Sequence, residues 1–405
     1  MFLFNILPIF SDDAYLTAYF ADSFVGGSGF PNSDTVTLLG ITDPLYLYFI
    51  SFLVYVGLTP LTAIHLVNSL SIFLIFAIIK KEKGNSIFFI VLAFISLWYQ
   101  LLVGNGNGLF MLFFLLYLID YKKLEPIWLS LATSVRFDFG LYFAYVFIGK
   151  LKEKDFQWCF KAFFSFVPVL MLNLFFWKTP IPNTLLSKRL MYDRLFMLDF
   201  KVPDHLQWLI LSICFALLFK KINKKVILAA LAFSLSWALA GVSPGNAFSM
   251  LGFMLLLAFV FSSHQSFIAL LKKQMFKICL IACALTLPQT IRVYQKWEDH
   301  HHVTSEISKL IPEQGCTLAY WYFGYLRHHS GACLIDGSGF FDKNSFDLLS
   351  ETKSNEIFLR LPEKPSSVIH FHQPDVEPLK YLPEYPFSRI IKGEYIQAII
   401  YTKDF

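Results

Sequence analysis

Apolar runs close to the length of a bilayer crossing recur along this chain, as at 60–79 and 156–177, separated by short polar connections. A helix needs about 20 consecutive apolar residues to cross the hydrocarbon core. Of the 405 residues, 56% are hydrophobic and only 16% charged, where soluble domains carry about 25% charged residues. With a mean hydropathy of +0.55, the expected fold is mainly α, a polytopic transmembrane helical bundle of about 10–11 spans.

The distribution of charge threads the spans. Lysines gather at 80–83, 122–123, 150–154, 220–225 and 272–277, whereas residues 11–59, "GNGNG" at 104–108 and "SPGN" at 243–246 contain no Lys or Arg. Cytoplasmic loops collect basic residues, so the first set is expected inside and the second outside. Spans are expected at 60–79, 86–103, 109–120, 126–136, 139–149, 156–177, 206–219, 226–242, 246–262 and 276–291. Several are shorter than a crossing, notably 126–136, which suits broken or tilted helices lining a cavity. The Tyr-rich run at 43–58 cannot be a complete span in this threading and reads as an interfacial helix. It belongs to a first outer loop, 11–59, and residues 178–205 form a second. Residues 1–291 are thus expected to make the membrane module, and 292–405 a small extracytoplasmic α/β domain. "MFLFNILPIF" is only half a crossing and lacks the basic start of a signal peptide. The expectation is a first span that begins upstream of Met1.

Cys159, Cys214, Cys279 and Cys283 lie in apolar runs, where a thiol is a small hydrophobe. Cys316 and Cys333 lie on strand-like runs of the polar tail and are able to pair if that tail faces an oxidising compartment. The histidines at 300–302, 328–329 and 370–372 lack zinc-like spacing with a cysteine, so they read as solvated surface and no metal site is assigned.

Asp12 and Asp13 stand at the lip of the first apolar segment, after Ser11. Two readings stay open. Ser is a favoured N-cap and acids in the first turn complement the helix dipole, so the pair needs no further purpose. A charge at the mouth of a membrane helix is otherwise expensive unless it pairs or works. Arg136 and Asp138 sit at membrane depth between short helices, where an internal salt bridge is set against orientation of a catalytic loop or contact with phosphate. The outer loop 178–205 carries Lys178, Asn183, Lys188, Arg189 and Arg194, and basic residues outside run against the charge rule. Anionic headgroups and a lipid phosphate both account for them.

"DDAYLTAYFADSFVGGSGF" followed by "GITDPLYLYFISFLVYVGL" resembles the opening of GT-C-fold glycosyltransferases, in particular the group similar to mycobacterial terminal β-(1→2)-arabinofuranosyltransferases. Further stretches match in order. "GNGNGLFMLFFLL" at 104–116 resembles a Gly-led segment, without its usual glutamate. "LATSVRFDFGLYFA" at 131–144 resembles an Arg-Pro-Asp-Gly turn, with Phe137 in place of proline. "PIPNTLLSKRL" at 180–190 resembles a Pro-Asn-Thr…Lys signature, and "WYFGYLRHHSGACLIDGSGFFD" at 321–342 an outer-domain strand and Gly-rich turn.

The resemblance implies an integral membrane enzyme of a bacterial inner membrane, with its C-terminal domain outside. It would move a sugar from a polyprenyl-phosphate carrier to a cell-envelope glycan, glycolipid or lipopolysaccharide acceptor. Asp12 and Asp13 are the implied catalytic residues. A carboxylate would take the acceptor proton and another would stabilise the anomeric carbon. Arg136, Asp138, Asn183, Lys188 and Arg189 are the implied donor and lipid-phosphate residues, since a leaving phosphate needs cations or donors aimed at its charge. The resemblance admits a divalent cation at Asp12 and Asp13 without requiring one. Nothing points to nucleic acid, and there is no GxGxxG nucleotide motif. The alternatives are a transporter or flippase of lipid-linked glycans and a non-catalytic subunit with the same fold. The absence of an internal repeat weighs against the transporter. The missing glutamate and the altered Arg-Phe-Asp turn keep the non-catalytic subunit in view.

Overall fold

A computed structural model of the protein describes residues 11–28, 43–83, 104–177, 179–182, 225, 228–229, 232, 295–312, 314–320, 323–330, 332–336, 364–372, 385 and 387–402. It is mostly helical with a small C-terminal sheet. In the first part, α1 is Asp12–Ser23, α2 Pro44–Tyr55, α3 Pro60–Lys83, α4 Asn107–Leu118, α5 Glu125–Val135, α6 Gly140–Lys152 and α7 Phe156–Trp177. Helix α8 covers 295–308 and α9 is Phe323–His329.

Among the described residues, two helices are long and apolar enough to cross a membrane, Pro60–Glu82 and Phe156–Trp177. Helix α7 has the bounds expected from the sequence and exposes Phe160, Phe163, Phe164, Met171, Leu174 and Phe175. Helix α3 exposes Leu66, Leu70 and Phe73. Water-soluble surfaces rarely carry apolar faces of this extent. The expected spans 109–120, 126–136 and 139–149 appear as α4, α5 and α6, of 12, 11 and 13 residues. At 1.5 Å per residue they are about 16–20 Å long, short of the ~30 Å core. Single 3₁₀ turns break the chain between them, at Tyr121–Lys123 and Phe137–Phe139. The expected spans 86–103, 206–219, 246–262 and 276–291 lie outside the described residues, as does nearly all of 226–242. The run at 43–58 forms the 12-residue α2, begun by Pro44 in the first turn, where a missing N–H costs nothing.

Contacts fix the direction of the helices. Gly108 lies against Asn68, and Lys81 lies 6.0 Å from the ring of Tyr121. The two contacts are thirteen residues apart on each strand of chain, so α3 and α4 run the same way. The tight turn at Tyr121–Lys123 reverses the chain into α5, which packs along α4. Phe147 meets Trp158 and Phe143 meets Phe166, so α6 and α7 are antiparallel. Asn107, Arg136 and Asp138 therefore share one end of the group. Tyr117, Glu125, Lys150 and Lys152 share the other.

The C-terminal region forms a five-stranded mixed sheet of order β2-β1-β3-β5-β4. Its strands are β1 Cys316–Tyr320, β2 Cys333–Asp336, β3 Ser367–His372, β4 Phe387–Lys392 and β5 Gln397–Thr402. Strand β1 pairs in parallel with β2 and β3, and β5 antiparallel with β3 and β4. Every residue of β5 is buried, as a central strand covered on both faces requires. Cys316 and Cys333 are register partners and form a disulfide. Asp299 on α8 accepts the backbone N–H groups of Glu394, Tyr395 and Ile396, at 2.9, 2.7 and 3.2 Å, and so ties α8 to the β4–β5 turn. The reading of the histidines as solvated surface is corrected at two positions. His300 is buried on α8, and His370 is buried on β3 with its ring edge-on to Tyr401. Their burial comes from tertiary packing, which a polar run in sequence does not reveal.

This region rests on α1. Tyr15 packs at a tilt against Tyr325 of α9 (4.9 Å between centroids) and against His301 of α8 (5.8 Å). The Arg327 guanidinium lies 5.4 Å from the Tyr19 ring centroid, a cation–π arrangement. The next residue of the same helix, Phe20, meets Trp177 of α7 edge-on.

Candidate functional site

Four stretches far apart in sequence meet where α1, α2, α4 and the α5–α6 turn come together. Arg136 follows the last turn of α5 in extended backbone, which turns its side chain toward α4 and α2 rather than along its own helix. Its guanidinium donates to Asp138 through Nε (3.1 Å to Oδ1) and Nη2 (2.5 Å to Oδ2), a bidentate fork. Nη1 donates to Oδ1 of Asn107 at 2.6 Å. Asp43 Oδ1 lies 3.6 Å from Nε. Arg136, Asp138, Asp43 and Asn107 are all buried.

Asp43 precedes Pro44 at the N-cap position of α2, yet its side chain makes no capping bond there. Oδ2 instead accepts the backbone N–H of Gly106 at 3.0 Å. That approach explains the glycine, since a Cβ on residue 106 would lie 2.8 Å from Oδ2 and 3.1 Å from the Tyr46 Cβ. The rest of "GNGNG" is also accounted for. Gly104 adopts a left-handed backbone (φ 68°), and its carbonyl accepts the Tyr46 hydroxyl at 3.2 Å. Asn105 Oδ1 accepts the Asn107 N–H, and Gly108 allows α4 to close on Asn68 of α3. Asn68 in turn donates to the Tyr46 hydroxyl at 3.1 Å. Three buried charges in low dielectric are tolerated only when each is hydrogen-bonded in this way.

Asp12 and Asp13 open α1, with acids in the first turn as the dipole favours. The Asp13 side chain is exposed, on a helix that packs against α2 and α3. Of the expected site, the structure joins Arg136 and Asp138 directly, and places Asp13 at the start of α1, which packs against α2. Asn183, Lys188 and Arg189 lie outside the described residues. Sequence reasoning did not single out Asp43, Gly106 or Asn107. Their signal was there in the "TDP" that opens α2 and in the alternating "GNGNG", short polar breaks between apolar runs that name no partner. Among the described residues no group of three or more His, Cys, Asp or Glu side chains is arranged to hold a metal ion.

No family of known proteins, no curated protein and no solved structure matches this chain.

Proposed function

We propose that the protein is an integral membrane glycosyltransferase of GT-C type that takes a sugar from a polyprenyl-phosphate carrier. The observation that carries this reading is the convergence at Arg136. The "TDP" before α2, the "GNGNG" before α4 and the Arg-Phe-Asp turn are three of the stretches that resemble that group, and they are separated by 29–63 residues in the bonds that join them. A chance likeness of short motifs has no reason to gather them in one hydrogen-bonded cluster.

In this reading Asp13, exposed at the start of α1, is the base that removes the acceptor proton, with Asp12 next to it. The Arg136 nitrogens Nε, Nη1 and Nη2 all donate to protein groups. Arg136 and Asp138 therefore act as positioning residues that hold the ends of α2, α4 and α5 behind the acids. Capture of the leaving phosphate falls to Asn183, Lys188 and Arg189 on the second outer loop. Two features agree with the acids facing outward. The lysines of α6 and the α3 terminus lie at the opposite end of the helices, as the charge rule asks of a cytoplasmic side. The Cys316–Cys333 disulfide suits an oxidising compartment.

Mass spectrometry of envelope glycans tests the reading. Cells lacking the protein are expected to lose one sugar from one glycan, and wild-type protein to restore it. An unchanged glycan profile contradicts the proposal.

A further inference from the structure

At the end of the helices away from Arg136 there is a cavity of about 570 Å³. It lies between the α4–α5 turn and the end of α6, some ten helical residues or about 15 Å from the buried charge cluster. Its floor is apolar and aromatic. Tyr117 and Tyr142 share a hydroxyl hydrogen bond of 2.9 Å there, and Val146 and Leu228 line the wall. Its rim holds Lys150, Lys152 and Lys225 against Glu125 and Glu153, a net charge of +1.

The pairing among these charges is uneven. Lys225 bonds Glu125 at 2.6 Å, with its ammonium 4.9 Å from the Tyr117 ring centroid, and so braces the floor. Lys150 bonds Glu153 at 2.7 Å, but this is an exposed i,i+3 pair, weak and readily exchanged for another anion. Lys152 is exposed beside it. Leading away from the rim, α6 presents Ile148, Tyr145 and Leu141 to the outside at helical spacing. An apolar stripe along the helix thus ends in a lysine-rimmed hollow.

We propose that this hollow binds the phosphate headgroup of an anionic glycerophospholipid, with Lys150 and Lys152 on the phosphate and an acyl chain along Leu141, Tyr145 and Ile148. A lipid is the occupant that matches both features. The stripe needs a hydrocarbon chain, and the rim needs a negative charge at the depth where lysines reach the headgroups. The inference is independent of glycosyl transfer, and requires only that the helices sit in a membrane.

The test is native mass spectrometry of the full chain in detergent, with phosphatidylglycerol or phosphatidylcholine of the same acyl chains. Wild-type protein is expected to retain phosphatidylglycerol in preference. Each lysine near a headgroup carries roughly a fivefold preference, so Lys150→Gln with Lys152→Gln is expected to lower it about 25-fold. A second variant leaves every charge in place. Gly149 lines the hollow with nothing within 4 Å of its would-be Cβ, so Gly149→Leu fills the space while favouring the helix. It is expected to abolish the retained lipid with thermal unfolding no lower than that of wild type. Equal retention of the two lipids overturns the proposal, as does wild-type retention by both variants. Displacement of the lipid by equimolar inorganic phosphate also overturns it, because the site would then take a free anion.

Discussion

Replacing Gly106 by alanine adds one methyl group at the closest approach in the buried charge cluster. The new Cβ would stand 2.8 Å from Asp43 Oδ2, 3.1 Å from the Tyr46 Cβ and 3.2 Å from the Asp43 Cβ. The first distance is below any carbon–oxygen contact, so the Asp43 carboxylate has to withdraw and its 3.0 Å bond from the Gly106 N–H is lost. A hydrogen bond to a charged acceptor is worth about 1.5–3 kcal/mol. Overpacking against Tyr46 adds about 1–3 kcal/mol. The expected cost of Gly106→Ala is therefore about 3–5 kcal/mol, read as the shift in unfolding free energy of detergent-solubilised protein. A double-mutant cycle with Asp43→Ala isolates the contact between the two residues. In that background the hydrogen bond is already absent and the 2.8 Å contact is gone. Gly106→Ala is then expected to cost only about 1 kcal/mol for the residual contacts with the Tyr46 Cβ and with the Cβ that alanine keeps at position 43, a coupling of about 2–4 kcal/mol. Additive costs, or a Gly106→Ala protein as stable as wild type, would refute the account of why a glycine stands there.

Two further outcomes concern the C-terminal region. Burial, with Lys296 nearby, pushes His300 down to about 4 from an ordinary value of 6.5. The folded form thus binds the proton less readily than the unfolded chain, and stability present above pH 6.5 is lost as pH falls toward 4, by up to about 3 kcal/mol. His300→Gln is expected to flatten that part of the stability-against-pH curve, measured by chemical unfolding between about pH 7 and pH 4. Cys316 and Cys333 are 17 residues apart in sequence, so closing that loop contributes about 3 kcal/mol through the unfolded chain. Cys333→Ser is expected to lower stability by about that amount under oxidising conditions, with equal stabilities once the wild type is reduced.

What the sequence disclosed and what it hid divide by the range of the interaction. The bounds of α7 follow from the length of an apolar run and the lysines before it, and both are local. The short α2 follows from a Tyr-rich run that charge counting could not thread as a span. The Arg136–Asp138 bond joins residues two apart, so a salt bridge is legible in the sequence itself. The bonds from Gly106 to Asp43 and from Arg136 to Asn107 span 63 and 29 residues. No periodicity encodes them, and Asp43 reads in sequence as an ordinary N-cap before proline. The burial of His300 and His370 is hidden for a related reason, because burial is a property of tertiary packing and not of a polar run.

The central claim is that Asp12 and Asp13 are the chemistry of an outward-facing transfer site. Its most direct measurement is sugar transfer in proteoliposomes supplied with polyprenyl-phosphate sugars and an envelope acceptor, comparing wild type with Asp12→Asn, Asp13→Asn and the double variant. The account predicts that transfer is abolished in the double variant and in at least one of the single variants, while insertion and thermal unfolding stay as in wild type. Full transfer by the double variant would contradict it.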